Sequence, residues 1–294
     1  MPVRLTALIP ILMTLAPLAG ARAPVYLPDA QGTYLLASYL DLQSSDLDAN
    51  AGEIGGERSA LDAQYRAKDS AWRFALGHEY DALDIGLTGA EPETNGDLHT
   101  LHIATAWTQV NGNGELSVTL APSISTSSNV MKDPGEWNSD SAQLWAAILW
   151  QHRGQHWDWV LGVAHDFRFG ESRFYPVAGL NWQSDRVSIW ATYPDLVFNW
   201  DINNHWLLTF DLSPDGNEWH AFDSELENGD EFQRDAWQAE LRMSFQTSNG
   251  LRVGLSAGYQ FDQRWRMRLE NGEQFNRASD GNAFLGFHLG WYGH

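Results

Sequence analysis

Three arginines at alternate positions, Arg264, Arg266 and Arg268, are the sharpest chemical feature of the chain. Side chains two residues apart share a face only in an extended strand, so the row is a ladder of forked cations along one strand. Lining a pore, such a ladder attracts anionic solutes. Facing carboxylates, such as Glu240 or those between Pro214 and Asp235, it forms cross-strand ion pairs. The excess of 38 acidic over 18 basic residues favours this pairing. At an outer surface the same forks suit lipopolysaccharide phosphates. Arg73, Glu79, Asp81, Asp166, Arg168, Glu240, Arg242 and Arg252 stand opposite apolar residues in other alternating stretches. Together with the three arginines they are the candidates for a polar lining or rim.

Other chemistry is thinner. His99 and His102 are three apart, hence on opposite faces of a strand, and cannot chelate one ion. His152 and His156 flank a turn. His78 and His165 fall on apolar faces, where a barrel lipase would place a histidine beside a serine, but no triad-like motif accompanies them. The stretch from Asp223 to Glu231 offers hard oxygen ligands without EF-hand spacing and reads as a hydrated loop. Glycines cluster in hairpin turns such as Asn111 to Gly114, with no phosphate-cradling pattern. The sequence therefore predicts no catalytic residues, no metal ligands and no cofactor. A lipid hydrolase using His78 or His165 is the alternative.

The element that must hold the arginines runs from Leu251 to Leu269. Leu251, Val253, Leu255, Ala257, Tyr259 and Phe261 alternate with Arg252, Gly254, Ser256, Gly258, Gln260 and Asp262. Period two over this length requires a strand. At roughly 3.3 Å per residue it spans about 60 Å, twice a bilayer's hydrocarbon core. Leu251 to Phe261 matches a membrane crossing, and Asp262 to Leu269 is expected to project as an extracellular rim with its arginines on the polar face.

The same alternation recurs along the chain. Trp72, Phe74, Leu76, His78 and Tyr80 share a face, as do Trp157 to Phe169, Trp206 to Leu212, Trp237 to Phe245 and Ala283 to Trp291. Counting such stretches predicts an all-β, transmembrane antiparallel up-and-down barrel of about 14 strands, with short periplasmic turns and longer outer loops. Gln43 to Gly56, Thr126 to Asp140, Pro214 to Asp235 and Asn271 to Asp280 read as loops. The shortness of two outer links, Gly170 to Arg173 and Pro194-Asp195, leaves twelve strands as the alternative count. Aromatics at the ends of the apolar faces match interfacial girdles and point those faces at lipid. The competing arrangement is a soluble periplasmic β-protein with its apolar faces inward.

Residues 1–21 read as an export signal, with a basic start, an apolar run from Leu5 to Leu18 and a small-residue cleavage site. Residues 22–32 form a short periplasmic segment, and 33–294 the barrel. The net charge of −20 disfavours nucleic acid, and the absence of cysteine excludes disulfides and thiolate chemistry.

The segment from Tyr175 to Trp182, followed by a turn and a short strand ending in Tyr193-Pro194, resembles an uncharacterised family of Gram-negative outer-membrane β-barrels. The resemblance implies fold and location and brings no catalytic residues. Taken together, the expectation is an outer-membrane barrel acting as a passive pore or a structural surface protein. Its partners would be outer-membrane lipids, lipopolysaccharide, the barrel-assembly machinery and small solutes.

Overall fold

The computed structural model describes residues 33–293 except 49–50, 88–93, 133–138, 224–227 and 269–273. The expected export signal and periplasmic segment lie outside the described residues. Sixteen strands run in chain order: β1 Thr33–Leu47, β2 Gly52–Arg66, β3 Trp72–Leu87, β4 Thr94–Asn111, β5 Gly114–Ser127, β6 Ala142–Arg153, β7 Trp157–Asp166, β8 Arg173–Gln183, β9 Val187–Tyr193, β10 Asp195–Asp201, β11 Trp206–Pro214, β12 Asn217–Asp223, β13 Asn228–Gln246, β14 Leu251–Arg268, β15 Gln274–Ser279 and β16 Asn282–Gly293. A short helix, α1 (Ser128–Lys132), follows β5.

These strands build one closed antiparallel barrel of 14 staves. β1 to β11 pair successively, β11 pairs with β13, β13 with β14, β14 with β16, and β16 returns to β1. The two remaining strands are upper continuations. β12 extends the path of β11 beyond Asp215-Gly216, and β15 lies above β16 between β14 and β1. The start of β1 and the end of β16 share one rim with the tight β2–β3, β4–β5, β6–β7, β8–β9, β10–β11 and β13–β14 turns. At Asn111 to Gly114 the turn needs φ > 0, which Gly112 supplies at +60°.

The apolar faces point outward. Leu76, Ile103, Leu161, Leu241 and Leu285 are exposed, and Leu255 is 67% exposed. Tryptophans ring the turn-bearing rim: Trp72 pairs with Trp107 and Trp157 with Trp182, while Trp150, Trp200, Trp206 and Trp291 continue the belt. So much exposed hydrocarbon would drive aggregation in water, and it excludes the soluble arrangement. In lipid it is the surface that closes the structure with no free strand edge.

Several expected loops are strands. The acidic stretches at 43–56 and 214–235 hold the outer ends of β1 and β2 and the whole of β12. The wall is consequently uneven. β13 and β14 have 19 and 18 residues, whereas β9 and β10 have 7 each. Above the short strands a second, smaller ring forms. β12 turns inward and reaches β5, pairing His220 with Thr126 in parallel. The strands β12, β13, β14, β15, β1, β2, β3, β4 and β5 then make their own closed circuit. Its interior is greasy, with Leu47, Ile54, Leu83, Ile85, Leu98, Trp219, Phe232 and Trp265 packed together.

Candidate functional site

β14 supplies the first correction. Asp262 adopts a left-handed φ of +51°, and the pairing with β13 slips between Asp235/Arg264 and Trp237/Phe261. This bulge reverses the alternation. Gln263 and Trp265 turn inward and are buried, while Arg264 is exposed and Arg266 half-buried on the outer face. The arginines therefore do not line the polar interior, contrary to the sequence expectation. Arg264 stands opposite Asp235 in register, and Arg266 lies 3.9 Å from Glu171. Burial pushes the Asp235 carboxyl up, and Arg266 and Arg173 pull it back down. The backbone of Arg268 pairs with Glu231, and its side chain lies outside the described residues. The side chains of the stretch from Asp223 to Glu231, expected as a hydrated loop, also lie mostly outside them.

The other candidates sit inside. Arg73, Glu79, Asp81, Asp166, Glu240, Arg242 and Arg252 are all buried on the inner face. Arg168 is 0% exposed, but it belongs to the turn after β7 and not to the strand, and Phe169 is buried rather than facing lipid. The interior residues form three charge clusters.

The first cluster closes the upper lumen. Arg58 on β2 donates from Nε to Asp81 at 2.7 Å and from Nη1 to Asp215 at 2.8 Å. Arg234 on β13 lies 3.5 Å from Asp81 and 3.4 Å from Asp215, and its Nε donates to the Asp215 carbonyl at 3.1 Å. Gln260 donates to the second Asp215 oxygen at 2.6 Å. The two guanidinium groups meet Asp81 and Asp215 directly, with Glu79 a further 3.9 Å neighbour of Arg58, and such pairing is the condition under which charges tolerate burial. The Arg234 guanidinium also lies 5.6 Å from the Trp219 ring centroid and 5.7 Å from that of Trp265.

From this knot β12 crosses to the opposite wall. Asn217 donates to Thr100 at 2.9 Å and Ser125 at 3.2 Å, and the Trp219 indole N–H donates to Thr100 at 3.1 Å. Gln143 on β6 donates to the Glu218 carbonyl at 2.6 Å, and the Thr126 hydroxyl to the His220 carbonyl at 2.7 Å. The β12–β13 hairpin is thus a bar across the lumen, tied at both sides.

The second cluster holds the β7–β8 turn. Arg168 donates to Asp166 at 3.0 Å, to Asp195 at 2.8 and 3.3 Å, and to the Tyr175 hydroxyl at 2.9 Å. The turn meets the bar directly, because the Gly216 N–H donates to the Arg168 carbonyl at 2.7 Å. A Cβ at Gly216 would come within 2.6 Å of three backbone atoms, those of Arg234, Gly170 and Arg168. Only glycine admits this approach.

The third cluster lies nearer the turn-bearing rim. Arg242 forks onto Glu240 with three contacts of 2.9 to 3.1 Å. His288 Nε2 lies 3.1 Å from Glu240 and 2.9 Å from Ser256 Oγ. Arg252 donates to Gln246 at 2.6 Å and lies over the Tyr292 ring at 4.4 Å. Because serine and carboxylate share one ring nitrogen, this is not the relay of a hydrolase, in which the two occupy opposite nitrogens.

The outer surface carries a different arrangement. His165 Nε2 lies 2.8 Å from Ser172 Oγ, and its Nδ1 lies 2.7 Å from the Leu144 carbonyl. The carbonyl can accept only from Nδ1–H, which leaves Nε2 as the base beside the hydroxyl. His99 lies 2.8 Å from Ser128 and 3.1 Å from His78.

Arg58, Asp215, Gly216, Arg234 and Gln260 escaped the sequence reading as site residues. The only signal was that Asp215-Gly216 interrupts an alternating run that resumes with Trp219.

The closed antiparallel wall, the outward apolar surface and the aromatic girdle define a transmembrane β-barrel whose lumen is crossed by its own hairpin. Solved structures with similar coordinates include an outer-membrane channel from Pseudomonas putida F1, at 10% identity over 94% of this chain and 98% of that one, with a TM-score of 0.45. The translocator domain of the autotransporter NalP from Neisseria meningitidis matches at 9% identity over 89% and 88%, TM-score 0.39. Outer-membrane phospholipase A from Escherichia coli matches at 10% identity over 88% and 90%, TM-score 0.35. No protein-family model matches the chain, and no curated protein matches it by sequence.

Proposed function

We propose that this chain is an outer-membrane channel for small solutes, held closed by the β12–β13 bar. The observation that supports this reading is a polar-walled lumen crossed by a hairpin of the chain itself. Below the bar, Arg73, Glu79, Glu240, Arg242 and Arg252 face the interior, as a solute path requires. The bar itself meets β5 through a single backbone pair. Asp81, Asp166 and Arg168 hold the closed arrangement. Outer-membrane lipids surround the wall, and Arg264 with Arg266 would meet lipopolysaccharide phosphates at the outer rim.

The chain has no cysteine of its own, so a Thr126→Cys, His220→Cys pair can pin the bar to β5. In planar bilayers the reduced variant and the parent should show discrete openings, and oxidation should abolish those of the variant alone. Silence of the parent at every voltage, repeated in a variant lacking the hairpin, would leave only a structural role.

The Ser172–His165 pair supports a second reading, acyl-ester hydrolysis at the outer surface. Ser172 would attack the carbonyl as His165 takes its proton and returns it to the leaving alcohol, and water deprotonated by His165 would then attack the acyl-serine, releasing the acid and restoring the hydroxyl. A fluorophosphonate probe should then label the protein, and Ser172→Ala should remove the label. An unlabelled parent discards the reading.

A further inference from the structure

The inner face of the low wall is unlike the rest of the lumen. Leu149 on β6, Val160 and Ala164 on β7, Val177 on β8, Trp190 on β9 and Val197 on β10 point inward and form one buried apolar cluster. Polar residues border it on both sides: Gln151, Asn181 and Asn199 towards the turn-bearing rim, and Asp166, Asp195 and Asp211 towards the outer one. A wall facing only water has no reason to carry such a band.

The same wall does not reach across the membrane. β9 and β10 start level with their neighbours at the tryptophan belt, with Trp182 beside Ile189 and Trp200 beside Val187. Seven residues measure about 23 Å along a strand and, tilted as barrel strands are, rise about 18 Å. The apolar band of an outer-membrane barrel is about 25 Å tall. The upper edge at Pro194 therefore stops inside the outer leaflet. The β7–β8 turn fills the space above it, with the buried Phe169 packed between Tyr175 and Trp237 at ring separations of 5.2 and 6.3 Å. Phe174, 80% exposed, stands at the edge of this dip.

We infer that the dip at β9–β10 is a side entrance, through which small uncharged apolar molecules pass from the outer leaflet into the apolar band of the lumen when Phe169 swings aside. This rests on the channel reading and names its solute class. The apolar band argues for uncharged molecules over fatty-acid-like anions, because Leu149, Val160, Val177 and Val197 offer a carboxylate no partner. Asp166 and Asp195 beside the passage are already bonded to Arg168, Asp211 accepts from Ser213, and Arg173 lies over the Phe169 ring at 5.0 Å.

The test uses the full barrel in lipid nanodiscs with a bilayer-soluble alkyl diazirine, mapping the photolabel by peptide mass. Outward-facing Leu196 and Phe198 report the lipid and should label equally in all samples. Inward-facing Val177 and Val197 should label weakly in the parent and at least five-fold more in Phe169→Ala. Trp237→Ala, which removes the other side of the contact, should act in the same direction. A diazirine carrying a carboxylate should label the inner residues less than the neutral probe does. Unlabelled inner residues in both variants, each shown to be folded by heat-modifiable migration, would overturn the entrance. Conductance of the same preparations separates the two readings: openings without inner labelling sink the entrance alone, and inner labelling without openings sinks the channel alone.

Discussion

Replacing Asp215 with alanine should lower the stability of the barrel by about 3–5 kcal/mol, the usual consequence of removing one partner from a buried ion pair. Asp215 receives Arg58, Arg234 and Gln260 at once, and its loss leaves two fully buried guanidinium groups on Asp81, with Glu79 3.9 Å from Arg58. The check is the temperature at which the compact band converts to the unfolded one on a gel, or a urea titration in micelles. If the cost lies in stranded charge and not in lost packing, Arg234→Met in the Asp215→Ala background, which leaves Arg58 paired with Asp81, should recover most of it. A double variant as weak as the single one contradicts that account. In bilayers Asp215→Ala should also raise the open fraction, because the bar loses its anchor on the β2–β3 side.

Arg168→Ala should have the second-largest effect. The side chain makes four bonds to three partners and holds the turn that bridges β7 to Gly216. Its removal leaves Asp166 and Asp195 buried and unpaired by it, again a cost of about 3–5 kcal/mol. Arg168→Lys should restore only part, since a point charge cannot fork across Asp195 while reaching Tyr175. Stability measured by urea titration should therefore rank parent, lysine, alanine. Equal stabilities for lysine and arginine would mean that charge alone, without the planar fork, secures the turn.

The membrane wall was legible where strands have two unlike faces. Trp72 to Tyr80 against Arg73 to Asp81 gave facing and register without ambiguity, because the pleat and the lipid impose the same period. Legibility failed where one of these conditions lapsed. β6, β8 and β10 carry apolar residues on both faces, so Leu149, Val177 and Val197 offer no period from which an inner band could be read. The acidic residues of 214–235 looked like solvated loop, yet Asp215 is buried because two arginines from distant strands neutralise it. Long-range pairing of that kind leaves no local trace. The bulge at Asp262 is the clearest case. One left-handed residue shifts Arg264 and Arg266 from the inner to the outer face, and a strand read by alternation alone carries every later residue to the wrong side. Arg58 was missed for a simpler reason, since the acidic neighbourhood of Glu53 and Glu57 made the outer end of β2 look like a turn.

The two rings share one strand unevenly. In the large ring β5 is laddered to β4 as far as Ser127 and to β6 as far as Ile124, whereas in the small ring it meets β12 at one pair, His220 with Thr126, far apart in sequence. A seam of one backbone pair repays little of the entropy of closing its chain, whereas the still more distant closure of β1 on β16, Thr33 with Gly293, is repaid by a continuous ladder. The barrel wall can therefore assemble and insert with the hairpin still outside, and the last event in folding would be the closing of the bar onto β5. The native chain holds that seam by a single backbone pair, and its order of assembly is the reverse of the order in which it would open.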